Sequence, residues 1–252
     1  LITSAQDQTV RVWDTQTGAE VPQYAHNTVV NALAYDATAN RIAVGLGDGN
    51  IYLYDLATGA QTLLGQGRRF EGIIRMTFSP DGTTLLVASA DNIRLWSVNN
   101  KSVLHTLENY TPIGESVWIL EDVDVFQEIL SATFSPDGGR IVLSAVNRTS
   151  EPFVRIYETA TQTELLVISN RGLGRIDHVL FSPDGIFVVG AVSFTLSGQN
   201  TSLIFWDAID GTELHRTSGH TFNITDITYS ADGMFIITSS QDGTTRLWGL
   251  PK

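Results

Sequence analysis

The stretch IIRMTFSPDGTTLLVASADNIRLW, residues 73–96, decides the architecture. An alternating apolar segment runs into Pro-Asp-Gly, a second apolar segment follows, then a polar turn, then a third segment that ends on an aromatic residue. Pro80 presets φ for an early turn position, and Gly82 accepts the positive φ that closes the turn. The flanking segments carry the two-residue alternation of strands, so the stretch is predicted to be a meander of antiparallel hairpins. FSPDG returns at 134–138 and 181–185, and as YSADG at 229–233. A pentapeptide that recurs at the same place in a hairpin is scaffold.

The third segments end at VRVWD (10–14), IYLYD (51–55), IRLWS (93–97), VRIYE (154–158), LIFWD (203–207) and TRLWG (245–249). Their aromatic residues, Trp13, Tyr54, Trp96, Tyr157, Trp206 and Trp248, are separated by 41, 42, 61, 49 and 42 residues. A period near 42 with two insertions marks a repeat array of six units. The first unit supplies its second and later strands but has no room for a first, and the last ends after its third.

In this pattern the chain resembles the WD-repeat β-propeller family over its whole length. Gly219-His220 is similar to the family's Gly-His pair, and Trp13-Asp14 and Trp206-Asp207 are literal Trp-Asp pairs. The resemblance implies an all-β propeller of four-stranded blades, with strands a to d running from the innermost outward. It implies a buried hydrogen-bonded tetrad in the last unit, formed by His220, Thr238, Asp242 and Trp248. The first unit keeps Thr3, Asp7 and Trp13. The second keeps His26 and Asp48, with Val44 and Tyr54 where the family has Thr and Trp. Since the units at both ends are short of a strand, an incomplete propeller is expected, most simply seven-bladed when whole, with the present residues forming a single domain. Leu1 stands where Met would, without a basic segment followed by an apolar one. Either a removed signal peptide or a start inside a longer protein accounts for this.

Composition narrows the classes. Fifteen Lys and Arg against 27 Asp and Glu give a net charge of -12, which disfavours nucleic acid and anionic lipid as partners. No apolar run approaches the roughly 18 residues that span a bilayer. The absence of cysteine removes disulfides and thiolate metal sites but leaves the compartment open, cytoplasmic or secreted. Four Asn-x-Ser/Thr sequons, at Asn109, Asn147, Asn200 and Asn223, are mostly chance in so Ser/Thr-rich a chain.

Where repetition is scaffold, departures from it are the places for recognition. The longest, ENYTPIGESVWILEDVDVFQE (108–128), joins strand d of the third unit to strand a of the fourth. AVNRTSEP (145–152) and VSFTLSGQNTS (192–202) lengthen the b-to-c connections of the fourth and fifth units. By the resemblance all three lie on one face, conventionally the top. Tyr110, Trp118 and Phe126 among Glu121, Asp122 and Asp124 suit a basic protein or peptide partner, since the rings provide contact area and the carboxylates steer encounter. Arg148 and Phe194 on the neighbouring loops complete this set. A compatible alternative is that Trp118 and Phe126 form the loop's own small core. GQGRRFEG (65–72) and SNRGLGRI (169–176) carry Arg68, Arg69, Arg171 and Arg175. With their glycines these could hold an anion, pin the acidic insertion, or be solvated.

Three function classes follow. The family resemblance with one decorated face implies a non-catalytic scaffold or sensing module, without cofactor or metal, sitting beside other domains as in many bacterial WD-repeat proteins. A structural subunit of a permanent assembly is the second class. A propeller hydrolase is the third; it needs polar groups that converge from the innermost strands, whereas Asn31, Arg75, Asp177, His178 and Asp226 form no repeated ligand set, and EDVD (121–124) lacks the glycine and spacing of a calcium loop.

Overall fold

The computed structural model describes residues 1–66, 72–89, 92–108, 126–147, 150–169, 174–193 and 201–249. All regular structure among them is β, in six antiparallel sheets. The chain falls into two compact units, Leu1–Thr106 and Leu107–Lys252.

The first unit opens with a three-stranded sheet of β1 (Ile2–Ser4), β2 (Thr9–Trp13) and β3 (Glu20–Ala25). A four-stranded sheet follows, of β4 (Val30–Asp36), β5 (Arg41–Leu46), β6 (Asn50–Asp55) and β7 (Gln61–Gln66). The third is built from β8 (Ile73–Phe78), β9 (Thr84–Ser89), β10 (Asn92–Ser97) and β11 (Ser102–Glu108), whose last residues cross into the second unit. The second unit holds β12 (Phe126–Phe134), β13 (Arg140–Asn147), β14 (Pro152–Glu158) and β15 (Glu164–Ser169). Next come β16 (Arg175–Phe181), β17 (Phe187–Ser193), β18 (Ser202–Asp207) and β19 (Glu213–Ser218), then a three-stranded sheet of β20 (Ile224–Tyr229), β21 (Phe235–Ser240) and β22 (Thr245–Gly249). Every sheet keeps its strands in chain order, so each is the meander expected from the repeat.

Within each unit the core lies between successive sheets. Leu53 and Leu64 meet Ile73, Met76 and Trp96, while Ile156 and Ile168 meet Val179, Val188 and Trp206. The second strand of each four-stranded sheet, as in IVLSAV of β13, is buried along nearly its whole length because both its faces are covered. This is why it reads as a continuous apolar run where the innermost strand β4 alternates. Each buried Leu, Ile or Val contributes roughly 1.5–3 kcal/mol of hydrophobic stabilisation.

The FSPDG turn is closed by local chemistry. The Gly82 N–H donates to the Ser79 carbonyl at 2.8 Å, Gly82 adopts φ 70, and the Ser79 hydroxyl donates to Asp81 while accepting the Thr84 N–H at 2.9 Å. Ser135, Asp137 and Gly138 repeat the pattern. The turn also joins one sheet to the next, which sequence reading missed. Arg41 donates to the Gly82 carbonyl at 2.5 Å, held there by Asp36 at 2.8 Å, and Arg140 donates to the Gly185 carbonyl at 2.7 Å. Each arginine stacks on the Phe of the FSPDG it reaches. Arg-Ile at the start of the second strand in units two and four was the available signal.

Candidate functional site

Two constellations carry the polar chemistry. In the last sheet, β21 and β22 bring Thr238 and Trp248 together and the segment before β20 supplies His220. Asp242 Oδ2 lies 2.8 Å from His220 Nδ1, Thr238 Oγ1 lies 2.7 Å from His220 Nε2, and the Trp248 indole N–H donates to Thr238 Oγ1 at 2.9 Å. A carboxylate only accepts, so Nδ1 carries the proton and Nε2 accepts from the Thr238 hydroxyl. His220 and Thr238 are fully buried. The Thr244 hydroxyl, foremost, with His220 and backbone N–H groups, holds the Asp242 carboxyl well below the usual carboxylate range despite burial. Every strong donor is matched, which is the signature of a structural network and leaves no group free for proton transfer.

The other units lose this chain by degrees. Trp13 N–H donates to Thr3 Oγ1 at 2.8 Å, but Asp7 turns to Thr9 and Arg11. In the second sheet the Tyr54 hydroxyl lies 3.4 Å from His26 Nε2; burial pushes the tyrosine up to about 12 and lowers the histidine. Trp248 pairs with Ile236, two residues before Thr238. The same offset places Val44, Val87, Leu143 and Gly190 at the threonine position of the four middle sheets. The Trp96 indole nitrogen is accordingly buried with no hydrogen-bond partner among the described residues. The Asp of each Trp-Asp pair caps the turn to the outermost strand instead, with Asp14 accepting the Gln16 N–H at 2.8 Å and Asp207 the Ile209 N–H at 2.7 Å.

The second constellation lies where the departures from the repeat are anchored. Phe126 and Glu128, expected within the long insertion, stand on β12 instead. Phe126 pairs with Asn147 and Glu128 with Val146, because the eight-residue β13 offers partners that far along. Asn147, within the second departure, closes its turn: its side chain accepts the Glu151 N–H at 2.8 Å, and it is 4% exposed, so this sequon is unfit for a glycan in the fold. Arg175, read from the sequence as an anion holder, a pin on the acidic insertion or a solvated side chain of a loop, is the first residue of β16, opposite Ser193 in the third departure. Its guanidinium donates to both oxygens of Glu128, at 2.9 and 3.1 Å, and to Asp177 at 2.8 Å. Two carboxylates already occupy it, with Glu128 the chief reason its pKa is raised. Farther along the same strand, His178 Nδ1 lies 3.9 Å from Asp226.

Tyr110, Trp118, Glu121, Asp122, Asp124, Arg148, Phe194, Arg68, Arg69 and Arg171 lie outside the described residues, as does the side chain of Phe126. Among the described residues no three His, Asp or Glu side chains are grouped to hold a metal ion. No helix among them is long and apolar enough to cross a membrane.

Residues 211–249 match the family model of the WD domain, G-beta repeat, and residues 1–123 match that of the nucleolar protein 10-like N-terminal β-propeller domain. The serine-threonine kinase receptor-associated protein of Mus musculus is 25% identical over 246 residues, covering 98% of this chain and 62% of that protein. WD repeat-containing protein 1 of Mus musculus is 37% identical over 95 residues, 36% of this chain and 15% of that protein. The chain thus spans about three fifths of the length of the kinase receptor-associated relative. A chain in the crystal structure of the mitotic checkpoint complex is similar with a TM-score of 0.78 at 14% identity, over 100% of this chain and 71% of that one. The matched repeat at 211–249, the topology of the sheets and this likeness together show the fold of a WD-repeat β-propeller.

Proposed function

We propose that this protein is a non-catalytic interaction module that binds a protein or peptide with basic character through the loops at the b-to-c end of its fourth and fifth sheets. The observation that carries this is the shared anchorage of the three departures. Phe126, near the end of the long insertion, pairs with Asn147 within the second departure, and Glu128 is joined by both carboxylate oxygens to Arg175, which faces Ser193 within the third. Loops that depart from one ion-paired, β-paired corner share a common base, and a shared base lowers the ordering cost of binding in this reading. Tyr110, Trp118 and Phe126 provide contact area in this reading, Glu121, Asp122 and Asp124 the charge, and Arg148 and Phe194 the flank. The names of the relatives agree in kind: one is called associated with a receptor kinase, and the solved neighbour comes from a multi-protein complex. Asp177 is engaged by Arg175 and His220 by Asp242, which supports a module without chemistry of its own.

The test is a pull-down from native extract comparing the full-length protein with a form whose residues 110–127 are replaced by a short Gly-Ser link, with thermal melting as the folding control. Loss of one partner at unchanged melting supports the assignment. Retention of every partner sinks it and favours a permanent structural contact on the plain sheet surfaces.

A further inference from the structure

At the opposite end of the same sheets, where the FSPDG turns and the turns after Trp-Asp lie, exposed apolar side chains gather in the second unit. Ile209 is 81% exposed, Met234 62% and Ile186 58%. The repeat shows that these are departures. The position of Ile186 and Met234, directly after the turn glycine, is Thr83 in the third unit and Gly139 in the fourth. The position of Ile209, two residues after the turn-capping residue, is Gln16, Ala57, Asn99 and Ala160 in the first four units.

The three side chains sit on connected backbone. The Ala208 N–H donates to the Ile186 carbonyl at 2.9 Å, which ties the turn that carries Ile209 to the turn that carries Ile186. The ring of Pro183, in the turn that carries Ile186, packs so closely on Gly233 that a Cβ there would meet it at 3.1 Å, so the turns that carry Ile186 and Met234 abut. Carboxylates surround them. Asp184 accepts the Ile186 N–H at 3.0 Å, Asp232 the Met234 N–H at 3.0 Å and Asp210 the Thr212 N–H at 2.8 Å, and all three side chains are exposed. These bonds, with those from Ser182 and Ser230, hold the three carboxyls below their ordinary range, so each is charged at neutral pH. The cation beneath them, Arg140, is turned inward onto the Gly185 and Ala208 carbonyls.

We infer that Ile186, Ile209 and Met234, rimmed by Asp184, Asp210 and Asp232, form a second docking surface, which takes an amphipathic segment with apolar residues on one face and Lys or Arg beside them. Large exposed apolar residues clustered within a charged rim are the composition of a contact site, and methionine adapts to varied apolar partners. The rim excludes acidic segments and accelerates the approach of basic ones.

Synthetic amphipathic helices test this by fluorescence anisotropy against the full-length protein: one of leucine and lysine, one of leucine and glutamate, and one of serine and lysine. The leucine-lysine helix is expected to bind, more weakly at high salt, and the other two to bind at least about tenfold more weakly. Ile209→Ser with Met234→Ser, two exposed positions that leave the turn hydrogen bonds intact, is expected to weaken binding by about tenfold or more at unchanged melting. The form with residues 110–127 replaced is expected to bind the helix as the parent does, which separates this surface from the loop site. Failure of the leucine-lysine helix to bind, equal binding by the leucine-glutamate helix, or full binding by the double variant each overturns the inference.

Discussion

Replacing Thr238 with valine keeps the shape of the side chain and removes only the hydroxyl that stands between His220 Nε2, at 2.7 Å, and the Trp248 indole, at 2.9 Å. The imidazole is fully buried and loses its donor outright, a cost of about 1–3 kcal/mol. The indole belongs to a half-buried residue and finds water more easily, so it adds about 1 kcal/mol at most. The methyl that replaces the hydroxyl recovers part of this, and the expected net loss is about 2 kcal/mol. The reverse exchange is expected at Val87, the same position in the third sheet, where the Trp96 indole nitrogen is buried without a partner among the described residues. Val87→Thr supplies an acceptor and should be neutral or stabilising by about 1 kcal/mol. Urea unfolding followed by tryptophan fluorescence reads both, with an unchanged m-value confirming that the denatured state has not shifted. Hydrogen exchange over residues 224–249 locates the loss for Thr238→Val. If that variant stays within about 0.5 kcal/mol of the parent, or if both variants lose equally, the hydrogen-bonded chain contributes no specific stability and the reasoning fails.

Two further outcomes follow from the same contacts. A Cβ on Gly65 would lie 2.2 Å from Trp96 Cη2 and 2.3 Å from Cζ3, so Gly65→Ala must displace the indole, at a cost of about 1–3 kcal/mol, and an unchanged melting temperature would show that the ring is not packed on this backbone. Because the Asp242 carboxyl is depressed in the fold, its contribution is fully present above the ordinary carboxylate pKa of about 3.9 and is lost as pH falls through the lower folded value. Asp242→Asn should therefore flatten the acid limb of the stability profile below about pH 4, and identical slopes in the two proteins would refute the assignment.

Much of the architecture was legible because its causes are local. The Ser-Pro-Asp-Gly turn closes through bonds between residues no more than five apart, Ser79 to Thr84 being the longest, so the same letters give the same hairpin wherever they occur. Strand order followed, since short turns join only antiparallel neighbours. The His220, Thr238, Asp242 and Trp248 grouping was legible through the family resemblance, although its members lie up to 28 residues apart. The edges of the irregular segments were misjudged at Phe126 and Glu128, where the length of the opposing strand, not the local sequence, sets how far β12 extends.

The sequence by itself determined the period, the hairpins, the alternation of the strands and the acidic charge, because each depends on a residue and its near neighbours. Only the tertiary structure decided which side chains meet across sheets. Arg41 reaches Gly82, Arg140 reaches Gly185, and Glu128 takes the Arg175 guanidinium, which selects the pinning role among the three that the sequence left open. The hydrogen-bonded partners stand 41 to 47 residues apart, about one repeat. A repeat tells which residues occupy equivalent positions, but contact between neighbours depends on the distance and tilt at which one sheet packs on the next, and those are set by the whole interdigitated core between them.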